Sequence, residues 1–469
     1  MPLNRRSFVT LGAVFAATAA MRPAWAMSSK QILDRILAIK KPQDNQIKIL
    51  IPNGSQANID PVAKAFETQT GIAITLVVAS VDDINNRMVV EHLANRTNYD
   101  LALPATFGLP DLVSKGIIRS FSPFQQGVSE PTSLYDLGDT FEGERYGYQT
   151  DGDAYLMFYR KDWLSDPDIQ NRYADRFGVP LAVPATWAEL DRQMSFFHAP
   201  DENRYGGALF RTPGYLAWEY WARLHAKGVW PFADDMTPVI DTATGVQALD
   251  EMKRASEHLY PYAQSAGLFD NWRLFSEGDV YCNIGWGGSQ KYFNRALSPV
   301  KGKLTYAQLP GGVVDQVPYF NWGWSYVVPS VSRVPELAYL YACYATLPEQ
   351  STLAVRQRDG YFDPFTEEHY QDAVIRQTYS PDFLDVHRKA LQGAMPDLYL
   401  PGRGEYMSSL TRWLSSALNN EVPSATALSR AAGEWQLITR DIGTDQQIKR
   451  WQRLKSLYPE AIAIKLTNG

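Results

Sequence analysis

The chain has 469 residues, of which 45% are hydrophobic and 20% charged, with a formal net charge of −6. This length suggests two or three domains, and the acidic balance excludes nucleic acid, whose binders need a basic stripe. Two cysteines and six singly scattered histidines leave no metal-ligand spacing, so neither metal nor cofactor is expected.

The first 26 residues read as an export signal. A basic start at Arg5 and Arg6 precedes an apolar run from Phe8 to Met21, and Ala24-Trp25-Ala26 forms an A-x-A cleavage site. The run is too short to span a bilayer, and no later segment is long and apolar enough. The mature chain is expected to begin at Met27. Removing three arginines leaves 42 basic residues against 51 acidic ones, a net charge of −9. Cys282 and Cys343 sit inside apolar runs; export would permit a disulfide, but buried free thiols are the expectation.

An N-terminal helix and the short linker "KPQDNQ" come next. "QIKILIPNGSQ" (46–56) reads as a buried strand ending in a Gly-containing loop. "IDPVAKAFETQTG" follows at helical spacing, with Asp60 as N-cap, Pro61 as first helical residue and Gly71 as stop. The strand "IAITLVVAS", the helix "VDDINNRMVVEHLANRTN" and the strand "YDLALPA" complete a strand–helix alternation. That pattern predicts a mostly parallel sheet in an α/β domain.

Pro and Gly punctuate 120–150 before a strand in "GYQTDGDAYLMFYRKDWL". In "PATWAELD", Thr186 and Glu189 form a capping box. Helices over "YLAWEYWARLHAKG" and "TGVQALDEMKRASEHL" precede the strand "DVYCNIGWGGS", and the segment from 384 is helical and amphipathic. In "PYFNWGWSYVVPS" (318–330), Phe320, Trp322, Trp324 and Tyr326 alternate with small or polar residues. On one continuous strand all four rings would share a face. Such a face serves either a core or a cleft that stacks against a ligand.

Taken together, "FETQTGIAITL", "YDLALPATFGLPDLVSKGII", "ERYGYQTDGDAYLMFYRKDWL", "PATWAELD", "LFSEGDVYCNIGWGGS" and "NWGWSYVVPSVSRVPELAYLYACYATLPE" carry a resemblance in their order and spacing. The chain resembles the extracellular solute-binding proteins of bacterial ABC importers, the family that contains maltose- and other sugar-binding proteins. The resemblance implies two α/β lobes of the type II periplasmic binding-protein fold, joined by hinge crossings, with a ligand cleft between them. It divides the mature chain into an N-terminal lobe of 27–149 and 325–375 and a C-terminal lobe of 150–324 and 376–469. Arg5-Arg6-Ser7-Phe8 with Leu11 resembles a twin-arginine signal, which implies folded export to the periplasm.

Sugars need aromatic faces for their C–H surfaces and polar groups for their hydroxyls. Loops at strand ends, where ligands sit in open α/β sheets, supply both. Asn53, Ser55 and Gln56 follow the first strand, with a polar turn as the alternative role. Thr106 and Phe107 fall on positions where the family touches ligand, although the family often has a polar residue in place of Phe107. Asp151 and Asp153 lie at the hinge, and Asp153 matches a family acid that accepts hydrogen bonds from hydroxyls. The pair also opens like a calcium loop, but the glycine and terminal Glu of that loop are missing. Trp286 stands where the family keeps an aromatic, beside Gly287. Asn321 and Trp322 are expected to face the cleft and Trp324 to be partly buried at the hinge. Arg403 and Tyr406 occupy a loop and helix start where the family presents another aromatic. Trp218 and Tyr220 are weaker candidates, because Trp218, Trp221 and Leu224 repeat at core spacing.

Enzyme readings find no support. Ser298-Pro-Val-Lys301 matches S-x-x-K only formally, and nucleotide, zinc-protease, haem and iron–sulfur signatures are missing. The expectation is a monomeric periplasmic binding protein that hands a sugar or polyol to a membrane permease. A polyamine or other small organic ion, paired with Asp151 and Asp153 inside a tryptophan cage, is the alternative ligand. A sensor module that reports occupancy to a membrane receptor is the alternative role.

Overall fold

The computed structural model describes residues 29–468 except 97, 126–130, 315–318, 321 and 396. The export signal, the expected start at Met27 and the candidate Asn321 therefore lie outside the described residues. Two mixed sheets organise the chain. The first holds, in spatial order, Ala73–Ala79, Gln46–Pro52, Leu101–Ala102, Ser325–Val327 and Gly147–Gln149. Its first three strands are parallel, joined by the helices Gln56–Thr70 and Ile84–Leu93. The last two run antiparallel to their neighbours. The expected parallel run is present in the first three strands, and the antiparallel Ser325–Val327, entering from the rest of the chain, makes the mostly parallel sheet a mixed one.

The second sheet holds Leu304–Gln308, Leu156–Arg160, Val280–Gly285 and Tyr205–Ala208. Every residue of Leu156–Arg160 and Val280–Gly285 is buried, as befits central strands covered on both faces. The helices Leu216–Ala226 and Ala243–Ser256 pack beside the long C-terminal helices Arg403–Leu418 and Ser424–Ile442. No helix among the described residues is long and apolar enough to cross a membrane. Both cysteines are free and buried.

Local signals fare unevenly. Thr186 accepts from the Glu189 amide while Glu189 reaches back to the Thr186 amide, the capping box of the helix Trp187–Phe197. The helix expected to start at Asp60 begins instead at Gln56 and carries Pro61 inside it. Gly71 ends it at φ +65, a left-handed conformation that suits glycine.

The alternating stretch is not one strand. Tyr319–Phe320 pairs with Ala394–Met395, and Ser325–Val327 joins the first sheet. Between them Gly323 adopts φ +33, and the Thr106 amide donates to the carbonyls of Trp322 and Gly323 at 3.0 and 3.1 Å. That break gives the rings separate surroundings. Tyr326 packs edge-on against Tyr341 in the first sheet's core, while Trp322 meets the second sheet's residues.

Candidate functional site

Rings from both sheets meet in the seam between them. Thr106 and Phe107 stand on a short turn after the strand Leu101–Ala102, and the Thr106 hydroxyl donates to the Trp322 carbonyl. From the opposite side come Tyr215 and Trp218 at the start of the helix Leu216–Ala226, and Trp286 just after the strand Val280–Gly285. Trp322 is the common neighbour. Its ring centroid lies 4.9 Å from Trp218, 5.0 Å from Trp286, 5.2 Å from Phe107 and 5.5 Å from Tyr215. The pairs are tilted or edge-to-face, the geometry that ring quadrupoles favour.

Trp322 stands between two cavities. The outer cleft, about 1040 Å³, runs between Phe107, Asp111 and Lys115 on one side and Trp218, Arg403 and Met407 on the other. Ligand sites commonly enclose about 300–1,000 Å³. The inner cavity, about 20 Å³, is walled by Asp153, Trp272, Trp286, Trp322, Trp324 and Tyr361. That volume accepts little more than one water-sized group. The indole N–H groups of Trp272, Trp286 and Trp322 are buried without a partner. Buried donors are normally paired, so these three are open to an acceptor brought by a ligand.

Polar groups frame the rings. Arg403 forms a buried ion pair with Asp397, through Nε at 3.1 and 3.2 Å and through Nη2. Its guanidinium sits 4.0 Å over the Phe107 ring. Asp397 also accepts from Trp218 Nε1 at 2.8 Å, which fixes that indole. Phe107, where the family often places a polar residue, is therefore one face of a cation–π sandwich. Hydrogen bonds also bridge the seam directly. Tyr215 donates to Asp82. Asp111 accepts from the amides of Gly402 and Gly404 at 2.6 and 2.9 Å, capping the helix Arg403–Leu418 from the far side of the cleft. Burial pushes the Asp111 carboxyl upward, and those two amides pull it back down.

Of the residues singled out in the sequence, Phe107, Trp286, Trp322 and Arg403 converge on the seam, with Thr106 bracing its backbone. The side chains of the first-strand loop bond to nearby backbone. Asn53 accepts from the Val81 amide at 2.6 Å, Ser55 donates to the Pro52 carbonyl at 2.7 Å, and Gln56 accepts from Gly54 at 2.7 Å. Neither cleft cavity is lined by any of the three. Tyr406 is corrected: it is fully buried among Phe232 and Trp435, and its hydroxyl pairs with Thr439 at 2.6 Å. Asp153 reaches the inner cavity, whereas Asp151 lies fully buried behind it. Gly287 backs onto Asp363, whose carboxylate a Cβ there would strike.

Trp218, ranked low for its core spacing, is a wall of the cleft. A helix buried on every side has no bare face for spacing to expose. Tyr215, Trp272, Tyr361, Asp111 and Asp397 had not been singled out. "RDGYFDPF" (358–365), an aromatic and acidic loop outside any periodic segment, was the available signal for Tyr361 and Asp363.

No curated protein sequence matches the chain. Solved structures do match in fold. The maltose-bound binding protein of T. maritima superposes with a TM-score of 0.71 at 18% identity, covering 84% of this chain and 99% of that one. An ABC transporter solute-binding protein from Agrobacterium radiobacter, in complex with ribitol, gives 0.73 at 18% identity over 85% and 100%. Its counterpart from Agrobacterium vitis, with bound D-mannitol, gives 0.71 at 16% over 85% and 99%. These establish the two-lobed binding-protein fold. Residues 62–379 match the profile of a family of binding proteins rather than enzymes. The chain belongs to the bacterial extracellular solute-binding proteins.

Proposed function

We propose that the chain is the periplasmic substrate-binding subunit of an ABC importer. It captures a sugar or polyol in the seam between its lobes and presents it to a membrane permease. The lobes divide as the sequence suggested, at about 149/150, 324/325 and 375/376, and the protein acts as a monomer exported by the twin-arginine route. The proposed contacts are Phe107, Trp218, Trp286, Trp322 and Arg403, with Asp153 at the floor.

One observation carries this reading: aromatic faces from both lobes surround unpaired indole N–H groups. The faces suit the C–H surfaces of a carbohydrate, and the N–H groups need acceptors, which its hydroxyls supply. The solved neighbours named above carry maltose, ribitol and D-mannitol, which agrees in ligand class.

A second reading has its own observation. Asp153 sits at the base of five rings, the arrangement that would cage an ammonium group. An ammonium offers no acceptor to the indoles, so the sugar reading ranks first. Thermal-shift screening of the mature chain with sugars, polyols and polyamines separates the two, since a ligand raises stability by mass action. A response to polyamines alone would replace the first reading with the second.

A further inference from the structure

Behind the aromatic wall, three carboxylates from distant parts of the chain meet. Asp151 and Asp153 lie on the crossing that follows Gly147–Gln149, and Asp363 follows the helix Pro348–Val355, 212 residues after Asp151. One oxygen from each lies within 4.8 Å of the others, and all three side chains are buried.

Their hydrogen bonds leave them short of donors. Asp151 Oδ1 accepts from the Asp363 amide at 2.6 Å, and Asp363 Oδ1 accepts from the Tyr379 hydroxyl at 2.6 Å. The second oxygen of each, Oδ2, has no partner. Lys291 is the cation whose field acts on all three. It spends its own donors on the carbonyls of Val355 and Gln357, at 2.9 and 3.0 Å. Were all three ionised, one ammonium would leave two negative charges uncompensated, which a water-poor site does not tolerate, so either protons or a bound cation must neutralise the cluster.

A further group points the same way. His387 is fully buried, and its Nδ1 is fixed by the Tyr370 hydroxyl at 2.8 Å. Its Nε2 has no hydrogen-bond partner and faces Asp363 Oδ2 at 3.9 Å. Two glycines admit the backbone here. A Cβ at Gly287 would strike the Asp363 carboxylate, and one at Gly152 would strike the Pro364 carbonyl.

We propose that Asp151, Asp153 and Asp363 bind one hard divalent cation of the Ca²⁺ type where the chain crosses between the lobes. Oxygen-only, carboxylate-rich donor sets select Ca²⁺-like ions, and ligands about 2.4 Å from such an ion stand up to about 4.8 Å apart across it. The ion supplies the missing two charges and occupies the unpaired oxygens, with His387 Nε2 at the edge of the site. It ties the crossing at 150–155 to the segment around Asp363 and so stiffens the hinge. The ion site shares Asp153 with the floor of the cleft; failure of the sugar reading leaves it standing, whereas an ammonium solute at Asp153 would compete with it.

The test uses the mature chain after dialysis against a chelator, titrated with CaCl₂. In parallel it is titrated with TbCl₃, whose luminescence is excited through nearby indole and phenol rings. The expected result is one ion per chain, bound more tightly than about 1 mM, the weak limit of calcium sites. Ca²⁺ should quench the Tb³⁺ signal by displacement and raise the melting temperature. Asp363→Asn should weaken binding by roughly tenfold or more, as losses at metal shells do, and Asp151→Asn serves if that variant does not fold. The absence of saturable binding in the unaltered chain overturns the proposal, because protons alone then neutralise the cluster. So does unchanged affinity in a folded variant. So does spermidine displacing Tb³⁺ where Ca²⁺ does not, which would make the carboxylates an ammonium site. If neither variant folds, stoichiometric Tb³⁺ emission reversed by Ca²⁺ in the unaltered chain supports it.

Discussion

Trp286 and Gly287 are adjacent in the chain, yet they belong to two regions with opposite logic. Trp286 joins the rings of the cleft, and Gly287 backs onto the carboxylate of Asp363. The rings hold one another through contacts that vary smoothly with distance, so a lost ring leaves neighbours that still pack. The polar groups around and beneath them are held by directional bonds with few spare donors. Losing one member there strands another inside a medium that cannot solvate it. The two regions should therefore answer differently to substitution: the rings through binding, the polar groups through folding.

Asp397→Ala should show the largest effect. It removes the partner of Arg403, which is buried, and of the Trp218 N–H at once. Breaking a buried pair from one side costs about 3–5 kcal/mol. Chemical unfolding of the ligand-free protein measures this, and a loss below 1 kcal/mol would show the cleft's polar frame to be as forgiving as its rings.

Next in size is a contrast within the rings. Trp324 and Trp286 are almost equally buried, at 2% and 3% exposure, but Trp324 is bridged by its backbone to Ala105 and its carbonyl accepts from the Thr150 amide. Trp324→Ala should destabilise the free protein by ~3 kcal/mol or more, as large-to-small core changes do. Trp286→Ala should instead act mainly on affinity. A cost of ~2 kcal/mol, over tenfold in Kd, is expected for a ring that anchors ligand. Calorimetry with whichever polyol or sugar the screen returns reads the second effect, and thermal melting reads the first. Equal melting temperatures for the two variants would erase the distinction.

The same contrast explains what the sequence disclosed. The lobe architecture was legible because strand and helix periods repeat within short windows, and the ordered stretches from "FETQTG" to "NWGWSY" carried the family. Trp286 and Trp322 were legible because each sits among glycines or at a strand end, where a large ring is out of place in a turn. The pairing of Asp151 with Asp363 was not, since 212 residues separate them and neither motif names the other. Tyr406 failed because residues three apart share a helix face, so spacing groups it with Arg403; yet Arg403, at the first helical position, reaches Asp397 and the Phe107 ring, while Tyr406 packs against Phe232 and Trp435. The Gly323 break in the aromatic stretch was likewise hidden. A glycine between two tryptophans serves a strand or a turn, and here the amide and hydroxyl of Thr106, 216 residues before Trp322, hold the turn.

The smallest effect expected is at Asp111, and it tests whether the seam is held shut by polar contacts or by rings. Its carboxylate accepts from two amides at the start of the helix Arg403–Leu418, a helix that belongs with the second sheet's elements. A charged cap of this kind contributes ~1 kcal/mol, and the positive end of the helix adds to it. Because the bonds cross the cleft, they exist only while the lobes touch. Their loss should shift the open–closed balance of the free protein about fivefold toward open, without unfolding either lobe. Asp111→Ala should then enlarge the radius of gyration in solution scattering of the ligand-free chain, and saturating ligand should restore the compact value. The exposed pair Lys115–Glu405, 3.3 Å apart on the same edge, is the control: Lys115→Ala should change nothing measurable, since surface ion pairs contribute little. If both variants scatter like the unaltered protein, the rings alone hold the seam, and Asp111 is no more than a cap that happens to come from the other side.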